Sequence, residues 1–138
     1  MKRLLLIISV LALVLLQVGC SDQDIIKDTI ESMLAQFTVT YTLEVGGTEG
    51  LNFSGKYVVI TEEYDPVNIV VSNSRSYNVS GNVPAQYITE NAVSVVGMFQ
   101  KKSEEGTLEV KILKGEDLID SANTSDAWGA VLVTAVNQ

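Results

Sequence analysis

Residues 37–45 of the chain, FTVTYTLEV, decide its fold. Five bulky apolar residues alternate with threonine and glutamate over these nine positions. Because successive side chains of a strand point to opposite faces of a sheet, all five would lie on the same face. The alternation therefore predicts a β-strand with one face buried and the other in water.

The chain beyond this stretch continues as short apolar segments separated by turn residues. Asp65-Pro66, Ser80-Gly81-Asn82 and Glu105-Gly106 are examples of such turns. Short strands broken this often are typical of an antiparallel β-sandwich of the immunoglobulin-like type, and we expect a single mainly β domain over residues 37–138. The predicted strands after the first are residues 51–54, 57–62, 68–73, 77–80, 85–89, 93–101, 107–113, 118–122 and 128–136.

Two features of the C-terminal third are more specific. Apolar residues on both sides of Lys114-Gly115-Glu116-Asp117 predict a hairpin that turns at Gly115. The last predicted strand, residues 128–136, is apolar on both faces. Strands of this kind are typically buried on both faces, so we expect it to be central and covered on both sides.

A helical pattern precedes the first strand. One stripe carries five apolar residues at the 3.6-residue period of a helix: Ile26, Ile30, Met33, Leu34 and Phe37. The spacing predicts an amphipathic helix over residues 24–36, with Asp22 or Asp24 capping its first turn. Its stripe would serve either as a stalk or docking face for a partner helix, or as packing against its own domain. We expect the second, because most amphipathic helices bury their stripe within the chain.

The first twenty residues indicate where the chain works. Lys2 and Arg3 precede thirteen residues, 4–16, of which only Ser9 is polar. A positive start followed by an apolar run of this length is typical of a secretory signal peptide, whereas a membrane-spanning helix needs about 20 residues. We predict a signal peptide over residues 1–19, followed by an anchor cysteine and a helix or linker over residues 20–36.

The end of this segment, Gly19-Cys20, resembles the lipobox of prokaryotic lipoproteins. The resemblance implies that Cys20 is diacylated, becomes the new N-terminus and anchors an extracytoplasmic protein of the cell envelope to a membrane. Ser21 after the cysteine is similar to an outer-membrane sorting signal, should the organism be Gram-negative. The alternative is a small buried cysteine inside an uncleaved anchor.

Charge and cysteine content exclude several classes of function. The net charge is −8, and removing Lys2 and Arg3 with the signal peptide makes it −10. The Lys101-Lys102 pair is followed at once by Glu104-Glu105, so the basic cluster that nucleic-acid binding needs is absent from the sequence. Cys20 is the only cysteine, which leaves the domain without disulfides.

The sequence also argues against catalysis. It contains no histidine, which removes the commonest general base and metal ligand, and with it the Ser-His-Asp and Cys-His triads. A Ser-Lys pair would remain, without a recognisable motif. We expect a non-enzymatic protein with no cofactor and no zinc site.

Carboxylates are frequent in the predicted turns. Clustered acids of this kind suit a calcium ion, or a carboxylate pair for glycoside hydrolysis, but they are more often solvated faces. We therefore assign them no metal. The groups are Glu62-Glu63 with Asp65, Glu104-Glu105, Glu116-Asp117 with Asp120, and Asp126.

Aromatic residues offer one further candidate site. Tyr41, Tyr57 and Trp128 lie within predicted strands, while Tyr64, Tyr77 and Tyr87 lie nearest to predicted turns and form the set expected to be exposed. They would form a platform for a sugar or a peptide. Aromatics at alternating strand positions are more often core residues or cross-strand pairs, which is the interpretation we favour.

A family resemblance rests on the order of several strand and turn segments: Tyr41-Thr42-Leu43-Glu44-Val45, Tyr57-Val58-Val59-Ile60-Thr61, the bulky strand at 93–99, Leu108-Glu109-Val110-Lys111-Ile112, Gly115 and Trp128-Gly129-Ala130-Val131. Residues 37–136 resemble the extracytoplasmic domain of the mycobacterial membrane-protein-small (MmpS) family. The resemblance implies a small β-sandwich outside the membrane, held by one N-terminal anchor, that assists a transporter. The chain differs in lacking that family's cysteine pair and spanning helix.

These observations predict a lipid-anchored protein of the cell envelope whose non-catalytic β-sandwich binds a protein partner, such as a transporter. The membrane contact would be the lipid on Cys20. The alternative is a binding module for a glycan or another small ligand, which would use the loops that carry tyrosine. A deep pocket lined by Tyr64, Tyr77 or Tyr87 would favour the ligand, and a closed sandwich with a flat sheet face would favour the protein.

Overall fold

The computed structural model describes residues 23–137. One helix and eight strands make this part of the chain mainly β, as the sequence predicts. The predicted signal peptide at 1–19 and the anchor Cys20 lie outside the described residues. The elements are α1 (Gln23–Phe37), β1 (Val39–Gly47), β2 (Asn52–Asp65), β3 (Ile69–Asn82), β4 (Ala85–Ala92), β5 (Ser94–Lys101), β6 (Leu108–Lys114), β7 (Asp117–Thr124) and β8 (Ala130–Val136).

The strands form two four-stranded antiparallel sheets. The order is β4-β1-β6-β7 in the first sheet and β3-β2-β5-β8 in the second. Buried residues of both sheets join in one hydrophobic cluster, so the sheets pack face to face in a β-sandwich-like arrangement.

The stretch that predicted the fold lies at the centre of the first sheet. Tyr41, Leu43 and Val45 on β1 are buried, while Thr40 and Glu44 on the opposite face are exposed. The strand begins at Val39 rather than at Phe37 because the preceding helix extends that far, with the Thr38 amide donating to the Leu34 carbonyl at 3.2 Å. The predicted alternation of buried and exposed side chains is therefore confirmed.

Phe99 fills the middle of the core over two glycines. Gly55 pairs with Phe99 across the strands, and Gly97 lies two residues before it on the same face. A Cβ atom added at Gly97 would lie 2.8 Å from the Phe99 ring and 3.1 Å from Leu43. The aromatic ring thus occupies the space that two side chains would otherwise take, which requires glycine at both places.

The last strand corrects a sequence prediction. We expected residues 128–136 to form a central strand covered on both sides, but β8 lies at the edge of the second sheet. Val131, Val133 and Ala135 are buried, whereas Leu132 is 60% and Val136 61% exposed. Covering the outer face of β8 would need a further layer of secondary structure, and the helix of the described region packs near β2 instead.

The predicted hairpin at Gly115 is confirmed. Lys114 at the end of β6 pairs with Asp117 at the start of β7. Gly115 between them has a φ of 63°, a left-handed conformation that glycine adopts without steric cost.

A second hairpin is much longer than the sequence predicts. The pattern indicates four short strands between residues 51 and 80, but the structure has two continuous strands, β2 and β3, of 14 residues each. Gly55 pairs with Val79, and Ile60 pairs with Ser74. The pairing continues through glycine and small polar residues because the hydrogen bonds between strands join backbone groups. β5 pairs with β2 only as far as Ile60, so residues 61–73 extend beyond it as a two-stranded arm.

The tip of this arm is closed by one aspartate. Asp65 Oδ1 accepts hydrogen bonds from the backbone amides of Asn68 at 2.6 Å and Val67 at 2.9 Å, and from Asn68 Nδ2 at 3.1 Å. This arrangement is the Asx turn expected at Asp-Pro. The Asn68 and Val67 amides stabilise the ionised carboxylate, which lowers the pKa of Asp65.

The lowered pKa of Asp65 predicts how the tip responds to acid. Its stabilising effect is complete above the ordinary aspartate pKa of about 3.9 and is lost as pH falls through the lower folded value. In an NMR titration, the amide shifts of Val67 and Asn68 should follow a midpoint below that ordinary value. A midpoint at or above it would show that the Asx turn does not hold the carboxylate.

The predicted helix over residues 24–36 is confirmed, and its observed ends differ by one residue on each side. Ile30 and Leu34 of the predicted stripe are buried, and Lys27 and Asp28 are exposed. The helix contacts β2, and Asn137 Nδ2 donates to the Phe37 carbonyl at 2.6 Å. It therefore lies against its own domain, as expected, and does not stand away from it as a free stalk.

Lys101 is a fully buried lysine at one end of the sandwich, with 0% of its surface exposed. Its Nζ donates to the backbone carbonyls of Gly106 at 2.5 Å, Ser125 at 3.0 Å and Glu104 at 3.3 Å. An ammonium group has three donors, so all are satisfied without a carboxylate. The side chain joins the loop between β5 and β6 to the loop between β7 and β8.

Replacing Lys101 should destabilise the domain far more than replacing its neighbour. Lys101→Met leaves three carbonyls without their charged donor, and we expect a loss of about 3 kcal/mol in the free energy of unfolding. Lys102→Met, at an exposed position, should change it by less than about 0.5 kcal/mol. Urea unfolding followed by the fluorescence of Trp128, the only tryptophan, measures both. Equal losses would contradict the role of Lys101.

Candidate functional site

A groove of about 860 Å³ opens between α1, the inner face of β2 and β3, and β4. It exists because the two sheets are offset: β4 packs over β2, while β3 is exposed along most of its length. The inner face of β3 is thus left open toward the helix. Leu34 and Thr38 form one side of the groove, and Ile88 and Thr89 form another.

Tyrosine rings form a row that connects this groove to the core. Tyr57 and Tyr77, paired across β2 and β3, stack with ring centres 4.8 Å apart and planes at 18°. Tyr57 also lies 5.6 Å from Tyr87, which lies 6.4 Å from Phe99. Tyr77 is 41% exposed at the groove, and Tyr57 beneath it is buried. We call this surface the tyrosine groove.

The structure brings together part of the predicted aromatic set. Tyr64 and Tyr77 line the groove, together with Tyr57. Tyr87 is not on this surface, since it is partly buried and packs against the core cluster. The predicted cross-strand pairing is observed for Tyr57 with Tyr77. Trp128 lies elsewhere, two residues before β8, and is 51% exposed.

Burial and proximity of the rings favour the neutral phenols. Burial raises the pKa of Tyr57, with smaller contributions from Tyr77 and Tyr87, and burial raises the pKa of Tyr87. Neither hydroxyl is therefore an activated group at neutral pH, and both rings act as apolar surface with a hydrogen-bonding edge.

Charged residues around the groove are mostly acidic. Four carboxylates and one guanidinium line it: Glu31, Glu62, Glu63, Glu90 and Arg75. Arg75 lies opposite Val59 in the ladder and precedes Tyr77 on the same face. Within the described residues, no group of three His, Cys, Asp or Glu side chains could hold a metal ion. The groove can thus bind by stacking and hydrogen bonding.

A second candidate surface lies on the outer face of the second sheet. Val58, Val96, Met98, Leu132 and Val136 alternate with buried residues and so point away from the core. Met98 pairs directly with Leu132, and Val96 with Val58. Met98 is 57% exposed, similar to Leu132 and Val136. We call these five residues the apolar patch.

Polar residues and one tryptophan border the apolar patch. Lys56 and Gln100 lie on the same outer face, next to Met98 along and across the strands. Gln100 Nε2 donates to the Trp128 carbonyl at 3.0 Å, and the Trp128 amide donates to the Ser103 carbonyl at 3.1 Å. These bonds hold Trp128 at a φ of 56°, an unusual conformation for a bulky residue. Strain of this kind is often found at functional positions.

Sequence reasoning missed the apolar patch. The apolar pattern of residues 128–136 predicts a strand that is buried on both faces, and therefore no exposed surface there. The sequence does carry a signal for this patch. Gln100 and Lys56 alternate with buried residues of β5 and β2, and their polar side chains indicate that the outer faces of these strands lie next to water. A strand that is apolar on both faces belongs either to a covered sheet or to an interface.

Comparisons with known proteins assign no family to this chain. No protein-family model matches the sequence, and no curated protein matches it. Within residues 23–137, no helix is long and apolar enough to cross a membrane. The functional inference therefore rests on the two surfaces.

The raised pKa of Tyr57 predicts an alkaline response. A folded pKa above the ordinary value of about 10 gives stability that is complete below that value and is lost as pH rises through the folded one. Tyr57→Phe removes this ionisation, so the midpoint of alkaline unfolding, measured by circular dichroism, should move to higher pH. Tyr64→Phe is the control and should not move it. An unchanged midpoint in Tyr57→Phe would contradict the prediction.

Proposed function

We propose that this chain is a lipid-anchored, extracytoplasmic protein of the cell envelope whose immunoglobulin-like β-sandwich binds a protein partner without catalysing a reaction. The apolar patch carries the proposal. Its residues lie on the outer face of three adjacent strands, β2, β5 and β8, with Met98 opposite Leu132 and Val96 opposite Val58. Contiguous exposed apolar surface of this kind is typical of protein interaction sites.

The composition of the patch favours a protein over a small ligand. Small ligands are bound in concave sites that bury most of their surface, whereas the outer face of a sheet is open. An apolar centre with a polar rim, here Lys56 and Gln100, is the usual organisation of a protein interface. Met98, opposite Leu132, has a flexible side chain that adapts to a partner's surface, and tryptophan, as at position 128, is enriched among residues that dominate binding energy.

The N-terminal sequence supplies the location. Cys20 after Gly19 supports anchoring by lipid, at the outer membrane if the organism is Gram-negative. A partner on the same membrane surface would be an integral envelope protein, and the resemblance to the MmpS family suggests a transporter. Replacing Cys20 by serine should release the protein from the membrane fraction and abolish lipid labelling; unchanged fractionation and labelling would contradict the anchor.

Photo-crosslinking in intact cells tests the patch. A photoreactive amino acid at Met98 of the full-length protein should capture one envelope protein repeatedly. The same residue at Ile88, which is 62% exposed on the other sheet, is the control and should not capture it. Leu132→Glu, directly opposite Met98, should abolish the capture, because it places a charge within the apolar patch. Capture that is equal from Ile88, or insensitive to Leu132→Glu, would contradict the proposal.

The tyrosine groove favours a second candidate function, binding of a glycan or another small ligand. The observation behind it is the exposed Tyr77 ring stacked on Tyr57 beside Arg75, since aromatic faces bind the apolar faces of sugars and other rings. Glycan-array binding should then be lost in Tyr77→Ala and retained in Leu132→Glu. The crosslinking experiment should give the reverse result, with capture lost in Leu132→Glu and retained in Tyr77→Ala. The two experiments together therefore separate the two functions.

A further inference from the structure

The direction of the backbone groups on β3 follows from hydrogen bonds on β2. The Val93 amide donates to the Ile60 carbonyl at 2.9 Å, so even-numbered residues of β2 direct their backbone groups toward β5. Odd-numbered residues must then face β3, and the Val83 amide bonded to the Leu51 carbonyl at 2.9 Å agrees with this. Even-numbered residues of β3 therefore point their amides and carbonyls away from β2.

This edge is long and unprotected. Between residues 72 and 80, the positions whose backbone groups face outward are Ser72, Ser74, Ser76, Asn78 and Ser80. Arg75 is the only charged residue of β3, which has no proline. Exposed edges are usually guarded by charges, proline, bulges or short length. β8 has such protection, since Asp120 Oδ2 on β7 accepts a hydrogen bond from its Thr134 amide at 2.8 Å. β7 itself has a register shift in its ladder and acidic residues, and β4 has only eight residues.

We propose that β3 pairs with β3 of a second copy of this chain, antiparallel, about a two-fold axis at Ser76. This register sets Ser76 against itself, Ser74 against Asn78 and Ser72 against Ser80, all outward-facing positions that exchange hydrogen bonds. The two second sheets become one sheet of eight strands. The tyrosine grooves of the two copies meet along the new junction.

The positions of Arg75 and Tyr77 favour this register, and they favour β3 of a second copy as the partner strand. With the axis at Ser76, Arg75 of each copy lies opposite Tyr77 of the other on the inner face, where an arginine and an aromatic ring attract each other. An axis one residue earlier would set Arg75 against itself, which is unfavourable. The favourable pair occurs twice only when the partner strand is β3 itself. The outer face offers short serine and asparagine side chains, which let two strands approach without steric conflict.

Cysteine crosslinking in the full-length protein, purified in detergent with Cys20 retained, tests the register. Residues facing each other as a hydrogen-bonded antiparallel pair have Cα atoms about 5.5 Å apart, within reach of a disulfide. Ser76→Cys should therefore give a covalent dimer on mild oxidation, well above the background of the unsubstituted chain. Ser72→Cys alone should not, because its two copies would lie about 27 Å apart, while Ser72→Cys with Ser80→Cys should.

Mass measurement by light scattering gives an independent result. The unsubstituted protein should have twice the mass of one chain, and Ser76→Pro should have the mass of one chain with an unchanged circular dichroism spectrum, because the Ser76 amide points away from β2. A monomeric unsubstituted protein, a Ser76→Pro dimer, or equal crosslinking by Ser76→Cys and Ser72→Cys would each overturn the proposal. Crosslinking of Ser76→Cys to a different protein would also overturn it.

Discussion

The ammonium group of Lys101 is the interaction on which one end of this domain depends. It is buried completely, and its three donors bond to carbonyls of two separate loops. Removing a charge from water is costly unless its hydrogen bonds are replaced, and here backbone oxygens replace all of them. The Lys101 amide also bonds to the Gly129 carbonyl at 3.0 Å. The same residue therefore fixes both the loops and the start of β8, next to Trp128 and the apolar patch.

The offset between the two sheets explains the other features of the surface. The first sheet ends at β4, which lies over β2, so β3 extends past it. One consequence is the tyrosine groove, where the inner face of β3 lacks an opposing strand. Another is the open edge of β3 itself. Both surfaces depend on the long β2–β3 hairpin, whose backbone ladder continues through polar residues and glycine.

The packing of Phe99 shows why strand identity alone does not specify the core. Gly55 and Gly97 come from different strands and would each weaken a strand in isolation. In the sandwich they leave the space for one aromatic ring, and Leu43 from the other sheet also lies close to Gly97. The glycines are therefore as necessary to the core as the apolar residues that the alternation identifies. Their function becomes visible only when the partner strands are known.

The sequence by itself determined the local structure: the helix stripe from Ile26 to Phe37, the alternating strand of Tyr41, Leu43 and Val45, and the turn at Gly115. These depend on periodicity and on the conformational preferences of single residues, which neighbours in the chain already express. Only the tertiary structure decided that β8 lies at an edge, that β3 extends past the first sheet, and that Tyr77 is exposed while Tyr87 packs inward. Strand order and sheet offset set these outcomes, because they arise from contacts between residues far apart in the chain, and an apolar strand face looks the same in the sequence whether a layer covers it or not.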